Sequence, residues 1–509
     1  MKRACLFFTW LLFILFACCN AASSDEAMKP LVLEKSGPER QLPQRLLGAS
    51  AEALIEHLID NPRKVAALKA MDLAFVRFPG GSQSNYYDWR TGLLDMPSTP
   101  RSSPYMRFWA EIAPKIRTGF PQGVKIAEYT KFAREVGAEV VLVPNLETSS
   151  IVEQVEWFRQ MQAAGVVPRY VELGNEFWIA MGFDPEVLKR WPDEPTTMRI
   201  MKQYCDALRP YFPPGTRVAV QSAASAFWLR GNPVRPAGRR LRQWDVDLKP
   251  AGWFDAVTIH PYPRMDTIMG ERGAAQGWHR PEEAMKLFRA LLAHCDQGTD
   301  CVIADVRQRL PDKDIWVTEW NTRGADYQSK DEPTPAMHVQ LVSRMTFALL
   351  RHREVTMSLF FTLNFLRHGP AGGAFQSDGQ GRYRPMPHVL ALRWFHEAAN
   401  GGATYQRFLE SGAHRIPGDG APAESYFEVE AALFRKSKAV TLIIQNCSAE
   451  QRVFRLPKSV PEQAPSRIET LAAPDLMAAS TNVTPTEQPV EAGGEVRVLA
   501  YSIMRVVWR

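Results

Sequence analysis

Two glutamates stand where strand-like runs end. Val171-Glu172-Leu173-Gly174-Asn175-Glu176 and Ile315-Trp316-Val317-Thr318-Glu319-Trp320-Asn321 each carry an apolar run to a carboxylate. Paired carboxylates suit the hydrolysis of glycosidic bonds, in which one carboxylic acid protonates the leaving oxygen and one ionised carboxylate attacks the anomeric carbon. Two identical side chains divide these tasks only if their surroundings separate their pKa values, and they share one sugar only about 5 to 5.5 Å apart. Glu176 is the candidate acid and base, and Glu319 the candidate nucleophile.

Residues so distant in sequence meet only if the elements carrying them converge, as strand ends do on one face of a (β/α)8 barrel. Strand-like runs alternate with helical patterns through the first four-fifths of the chain, which argues for βα units and a parallel sheet. Eight strands are expected: from Leu46 to Ala49, Ala74 to Phe78, Val140 to Pro144, Tyr170 to Leu173, Val218 to Ser222, Ala256 to His260, Ile315 to Thr318 and Ser358 to Thr362. Between them the spacing of Ile126, Tyr129, Phe132, Ala133 and Val136 predicts an amphipathic helix stopped by Gly137, and another begins at Pro281 and buries Met285, Phe288, Leu291 and Leu292. Beyond Gly401 the pattern changes to alternating strands, from Ser425 to Phe434, Ala439 to Gln445, Arg452 to Leu456 and Glu495 to Val507. The expected fold class is therefore α/β: a (β/α)8 TIM barrel over 44–398 and a small C-terminal β-sandwich over 399–509, completed by a strand from 29–37.

With 509 residues, 45% hydrophobic and 23% charged, the chain has material for a large core and exceeds one typical domain. A net charge of +6 is mild for that length, and Lys and Arg are spread along it, so nucleic acid binding is not suggested. The ten histidines form no His-x-x-x-His or His-Glu-x-x-His grouping, no Gly-x-Gly-x-x-Gly opens a helix, and no Gly-Lys-Ser/Thr loop exists. No metal or organic cofactor is expected. Lys2 and Arg3 before the apolar run from Leu6 to Phe16, with Ala17, Ala21 and Ala22 after it, read as a signal peptide over 1–22. Export to the periplasm or the extracellular space follows, without a transmembrane segment. Leu15-Phe16-Ala17-Cys18 also resembles a lipoprotein cleavage box, so a lipid anchor at Cys18 is an alternative. Cys295 and Cys301 could close a short disulfide in an oxidising compartment, with unpaired buried thiols as the other option.

Phe75-Val76-Arg77-Phe78-Pro79-Gly80-Gly81, Leu173-Gly174-Asn175-Glu176 and Glu319-Trp320-Asn321 together resemble the clan A retaining glycoside hydrolases, over roughly Leu46 to Phe395. Within that clan they are most similar to the α-L-arabinofuranosidase branch, with the β-xylosidase and heparanase-like branches close behind. Thr318, where the arabinofuranosidases more usually carry an acid, and Phe177-Trp178 after Glu176 depart from the pattern. The resemblance implies that Arg77 keeps Glu319 ionised, that Asn175 hydrogen-bonds the sugar 2-hydroxyl, and that His260 and Tyr262 orient the nucleophile or line the sugar pocket.

Other candidate contacts come from the loops. Gly80 and Gly81 would let backbone approach a ligand, Asn145 would touch a sugar, and Glu147 is either a contact or a loop charge. Tyr86, Tyr87, Trp89, Trp178, Tyr262 and Trp320 are rings on which sugar CH faces could pack, with core packing as the alternative. Between strands five and six, Arg230, Arg235, Arg239, Arg240 and Arg242 would favour an anionic glycan if they face the site. The expected partner is an oligo- or polysaccharide. The functions in contention are a retaining glycosidase of arabinofuranosidase or xylosidase type, a heparanase-like β-glucuronidase, and a catalytically silent carbohydrate-binding barrel.

Overall fold

The computed structural model describes residues 29–56, 58–96, 104–177, 190–191, 193–223, 252–263, 281–322, 334–365, 374–377, 380, 382–419, 424–461, 463–473, 476–477, 485–488 and 494–509. Eight parallel strands close into a barrel in chain order: β1 (Leu47–Ser50), β2 (Phe75–Phe78), β3 (Glu139–Leu142), β4 (Tyr170–Glu172), β5 (Arg217–Gln221), β6 (Ala256–Ile259), β7 (Asp314–Trp320) and β8 (Val355–Phe361). These are the strands expected from the sequence, with ends displaced by a few residues.

Alternation along the strands builds the barrel in layers. Phe75, Tyr170, Ala219, Ala256, Trp316 and Met357 pack together as one apolar layer inside the barrel. Two residues further on, the same face carries polar groups instead: Arg77 on β2, Glu172 on β4, Gln221 on β5, Thr258 on β6 and Thr318 on β7, all buried. The intervening residues Val76, Phe78, Val171, Val218, Val220, Val257, Ile315 and Val317 point the other way, into the core shared with the surrounding helices. One of those helices, Ile126–Val136, buries Ile126, Tyr129, Phe132, Ala133 and Val136 and ends on Gly137 in the left-handed region, at φ 83°. Another, Ile151–Ala163, opens with Ser150 and Glu153 capping each other's backbone amides.

Helix Pro281–Ala293 buries Phe288, Leu291 and Leu292, and runs through a wide turn at His294–Gly298 into helix Thr299–Arg309. Cys295 and Cys301 both lie on this path and remain thiols, the first buried and the second exposed. Of the two options left open by the sequence the thiols are unpaired, although only Cys295 is buried. Six residues along a helical path separate two side chains by about 9 Å of rise and turn them to different faces, beyond the roughly 7 Å Cα reach of a disulfide.

The remaining strands form a ten-stranded, mostly antiparallel sheet that includes β9 (Thr404–Glu410), β10 (Val429–Lys436), β11 (Ala439–Asn446), β12 (Arg452–Arg455), β13 (Arg467–Ala472), β14 (Glu495–Val498) and β15 (Ser502–Trp508). The N-terminal strand Leu31–Lys35 lies between β9, to which it is antiparallel, and β12, to which it is parallel. The sheet curls into a sandwich: Leu33, Phe454, Val496 and Val498 share one core with Ala431, Leu433, Leu442, Ile444 and Met504. Their sequence neighbours Ala432, Phe434, Ile443 and Ile503 face the opposite way and pack on Phe347, Trp394 and Phe395 of the barrel helices. Two strand spans need correction. The run from Glu495 to Val507 is two strands, because Tyr501 turns the chain with φ 44°, and Ser425–Tyr426 pairs separately before β10 begins.

Candidate active site

Arg77 is the hub of the barrel mouth. It is fully buried at the end of β2, where its Nε and Nη2 donate to the two oxygens of Glu172 at 2.8 and 2.9 Å. Its Nη2 also donates to Oδ1 of Asn175 at 2.8 Å, and its Nη1 to Oε1 of Glu319 at 2.6 Å. A guanidinium presents five donors in a planar fork, which is why one side chain can hold three partners from β4 and β7. Burial alone would lower the pKa of Arg77, but Glu172 and Glu319 raise it, and the side chain stays cationic. Burial likewise pushes the Glu172 carboxyl up, and the charge of Arg77 outweighs this, holding Glu172 below the usual carboxylate range.

Both Thr318 and Glu319 reach the inside of the barrel, although neighbours on a regular strand face opposite ways. The cause is a bulge on β7: Val317 pairs with Ser358 and Trp320 with Phe360, so three steps on β7 match two on β8. Beyond β4 the backbone enters the left-handed region at Gly174, φ 76°, and again at Glu176, φ 48°. Glu176, a non-glycine residue in that region, is held in an uncommon conformation where its carboxyl turns into the mouth. Asn85 brackets this turn, its Nδ2 donating to the carbonyl of Asn175 at 2.9 Å and its Oδ1 accepting from the Asn175 amide at 3.3 Å.

The two sequence-predicted glutamates come together around His260, which follows β6. Nδ1 of His260 lies 2.7 Å from Oε1 of Glu176, and Nε2 lies 2.9 Å from Oγ1 of Thr318. Tyr262 donates its phenolic hydrogen to Oε2 of Glu319 at 2.6 Å. One donor atom each of Glu176, His260 and Glu319 lie within 4.8 Å of one another. Such a trio could in principle hold a metal ion. Both nitrogens of His260 are, however, already engaged by Glu176 and Thr318, which describes a hydrogen-bonded ring better than a free ligand. Although burial pulls the pKa of His260 down, Glu319 and Glu176 raise it to about 9. The surroundings of the two glutamates differ as a division of labour requires. Glu319 is 6% exposed and accepts from Arg77 and Tyr262 on separate oxygens, whereas Glu176 is 15% exposed and faces His260.

Gly81 lies directly against this pair: a Cβ there would overlap Oε1 of Glu319, so only glycine leaves the carboxylate in place. Gly80, at φ 136°, packs on Gln83 and Glu52. Gln83 Nε2 donates to Glu52 Oε2 at 2.7 Å.

Two expected sugar contacts are corrected. Asn145 spends its amide inside its own loop, donating to the Tyr87 carbonyl and Thr148 Oγ1 and accepting from the amides of Glu147 and Thr148. Trp320 is a core residue, edge-on to Phe360, because the bulge that brings Glu319 inward turns the next side chain outward. Tyr86 and Tyr87 are also in the core, Tyr87 donating to the Val124 carbonyl, and Trp89 stacks on Trp157. Glu147 accepts from the indole of Trp191 at 2.6 Å. Trp178 and the arginines at 230, 235, 239, 240 and 242 lie outside the described residues, as does the expected signal segment with Cys18.

Glu172, Thr318 and Asn85 also belong to the site, although their place in it was not expected from the sequence. Glu172 was visible as a charge inside the apolar run Val171-Glu172-Leu173, and charged residues are almost never fully buried unless paired. Asn85 left no comparable trace.

No protein-family model matches the chain, and no curated protein matches it by sequence. Solved structures do match. A family 51 arabinofuranosidase from Xanthomonas axonopodis pv. citri superposes with a TM-score of 0.67 at 17% identity, covering 94% of this chain and 99% of that one. A family 51 α-L-arabinofuranosidase from Bifidobacterium longum gives a TM-score of 0.66 at 14% identity, covering 94% and 100%. A 4-O-α-L-rhamnosyl-β-D-glucuronidase from Fusarium oxysporum 12S gives 0.56 at 14% identity, again covering 94% and 100%. This is the fold of the clan A glycoside hydrolases. At these identities the likeness concerns architecture, a parallel barrel with a β-sandwich after it.

Proposed function

We propose that the chain is a retaining glycosidase that works by double displacement, with Glu319 as nucleophile and Glu176 as acid and base. The observation that carries this is the approach of the two carboxylates, one oxygen of each within 4.8 Å. That spacing suits direct attack, for which carboxyl groups stand about 5 to 5.5 Å apart, and is short of the roughly 6.5–9.5 Å that admits a water for inversion. Arg77 and Tyr262 keep Glu319 ionised and aimed, and Tyr262 also withdraws charge from the oxygen it binds once the glycosyl bond forms. Glu176 protonates the departing oxygen and later takes a proton from the attacking water. Asn175, fixed by Arg77 through its Oδ1, has among the described residues one long contact on Nδ2, to Ser82 Oγ at 3.4 Å, and would offer that nitrogen to the sugar 2-hydroxyl.

The substrate expected first is an arabinofuranoside or xyloside, in keeping with the two family 51 structures that superpose best among those described. A heparanase-like β-glucuronidase acting on anionic glycans is the second reading, supported by the superposition on a β-glucuronidase and by the arginines between β5 and β6. The unit over 44–398 would carry the chemistry, with 399–509 and the strand from 29–37 supporting it. Export to the periplasm or beyond is proposed from the 1–22 pattern, with anchoring at Cys18 as its variant. Among the described residues no helix is long and apolar enough to cross a membrane.

The test is the initial hydrolysis rate of chromogenic α-L-arabinofuranoside, β-D-xyloside, β-D-glucoside and β-D-glucuronide by the mature protein and its Glu319→Gln variant. Turnover of at least one, lost in the variant with the fold intact, is expected. Equal turnover by the variant would overturn the assignment of Glu319, and a wild type that binds oligosaccharides without cleaving any would favour the silent binding barrel.

A further inference from the structure

Glu172 accepts three hydrogen bonds from residues of the site, yet it is fully buried and stands too deep in the barrel to touch a sugar. Both of its oxygens accept from Arg77, and Oε1 also accepts from Oγ1 of Thr318 at 3.0 Å. A carboxylate in this setting is ionised and only accepts. The single hydroxyl hydrogen of Thr318 is therefore committed to Glu172. Thr318 Oγ1 then has only lone pairs to offer His260, so the Nε2 that lies 2.9 Å away must carry a hydrogen. The opposite arrangement, with Thr318 donating to Nε2, would set two lone pairs face to face across the 3.0 Å between Thr318 and Glu172.

With Nε2 fixed as a donor, the remaining nitrogen decides the rest. Nδ1 of His260 and Oε1 of Glu176 are 2.7 Å apart, and one proton occupies the space between them. We propose that Glu172 is a positioning residue which, acting through Thr318, fixes the tautomer of His260 so that the proton used by Glu176 is stored between Glu176 and His260 Nδ1. This rests on the glycosidase reading for the role of Glu176, but not for the placement of the proton. When the glycosidic bond breaks, its electron pair goes to the leaving oxygen, Glu319 bonds to the anomeric carbon, and the one stored proton passes through Glu176 to that oxygen, leaving Glu176 a carboxylate. His260 is left neutral with Nε2–H intact. The water that later displaces Glu319 returns one proton to the pair, which restores the starting state.

The groups that face His260 are Glu172 and Glu176 from the β4 side and Glu319 from β7, whose Oε2 is 4.0 Å from Nδ1. Arg77 of β2 lies behind Glu172 and Glu319, and Tyr262 follows on the same segment as His260. Three carboxylates around one imidazole favour its charged form. Removing the link to Glu172 should weaken that preference and release the tautomer.

The test uses the full mature protein labelled with ¹⁵N-histidine, the His260 signals being identified by their loss in His260→Asn. In wild type, Nε2 should stay protonated and the ring should titrate above neutrality. In Thr318→Val and in Glu172→Gln, that titration should fall by about one pH unit or more. Thr318→Ser, which keeps the hydroxyl, should restore it. An unchanged titration in both Thr318→Val and Glu172→Gln would overturn the proposal. A second readout compares aryl glycosides with good and poor leaving groups. Thr318→Val should lose up to about 100-fold in kcat/KM on the poor leaving group, which needs the acid, and little on the good one. An equal loss on both would mark Thr318 as merely structural and overturn the relay. Failure of the glycosidase reading would appear differently, as an inactive wild type whose His260 titration still responds to Thr318→Val.

Discussion

Glu319 has one oxygen against Arg77, the other against Tyr262, and a Cβ on Gly81 would overlap its Oε1. Gly81→Ala should therefore push the carboxylate aside. A displacement near 1 Å costs on the order of 100-fold in rate where attack geometry is strict. The expected outcome is a kcat/KM lower by about that factor with an unchanged thermal unfolding midpoint, and activity within about twofold of wild type would show that the contact is dispensable. Glu176, Glu319 and Arg77 were legible in the sequence because strand ends announce themselves by pattern and their residue types fit one chemistry. Asn145 and Trp320 were misread for a physical reason. Whether an amide is spent within its own loop, or whether a bulge reverses the alternation of a strand, depends on partners that no local pattern names. Glu172 was readable as an anomaly, a charge in an apolar run, but its partner Arg77 lies on another strand.

Two helices, Pro335–Arg351 and Pro387–Ala399, are buried along almost their whole length between barrel and sandwich. They carry His338 and His388, whose rings stack at 4.1 Å, and His396, whose Nδ1 is 2.9 Å from the Met71 carbonyl. Burial lowers the pKa of His338 and of His396 to about 4, and that of His388 well below the usual value. Unfolding releases these rings to titrate near 6.5, so below that pH the unfolded chain binds more protons than the folded one. Their contribution to stability is thus fully present above about pH 6.5 and lost as pH falls toward 4. Urea unfolding across that window should show stability declining with acidity, and less steeply in His388→Phe; an identical slope in the variant would contradict the neutral buried state of His388. At this scale the barrel strands were legible because they are short apolar runs between helical patterns. Strands β9 and β13 were not, since Thr404–Glu410 and Arg467–Ala472 mix charged and apolar residues, and only pairing with β10 and β15 makes them strands.

The whole molecule is joined by a sheet that buries both faces. On β10, Ala431 and Leu433 enter the sandwich core while Ala432 and Phe434 meet the barrel helices, so one period-2 pattern serves two interfaces. Charges fix the register of that contact: Arg344, fully buried on helix Pro335–Arg351, donates to Glu430 of β10 at 2.7 Å, and Arg351 lies 3.4 Å from the same carboxylate. Removing one partner of such a buried pair typically costs about 3–5 kcal/mol, because the other charge is left uncompensated. An apolar interface could slide, whereas these pairs match at one position only. The barrel is thus held as a closed scaffold whose strand ends bring β2, β4, β6 and β7 to one mouth. The proposed direct attack of Glu319 on the sugar takes place at that mouth. It is tested most directly by following, with ¹H NMR in the first minutes of hydrolysis, the anomeric configuration of the product released from the preferred glycoside. Retention of the substrate's configuration is the predicted result, and first formation of the opposite anomer would contradict double displacement by Glu176 and Glu319.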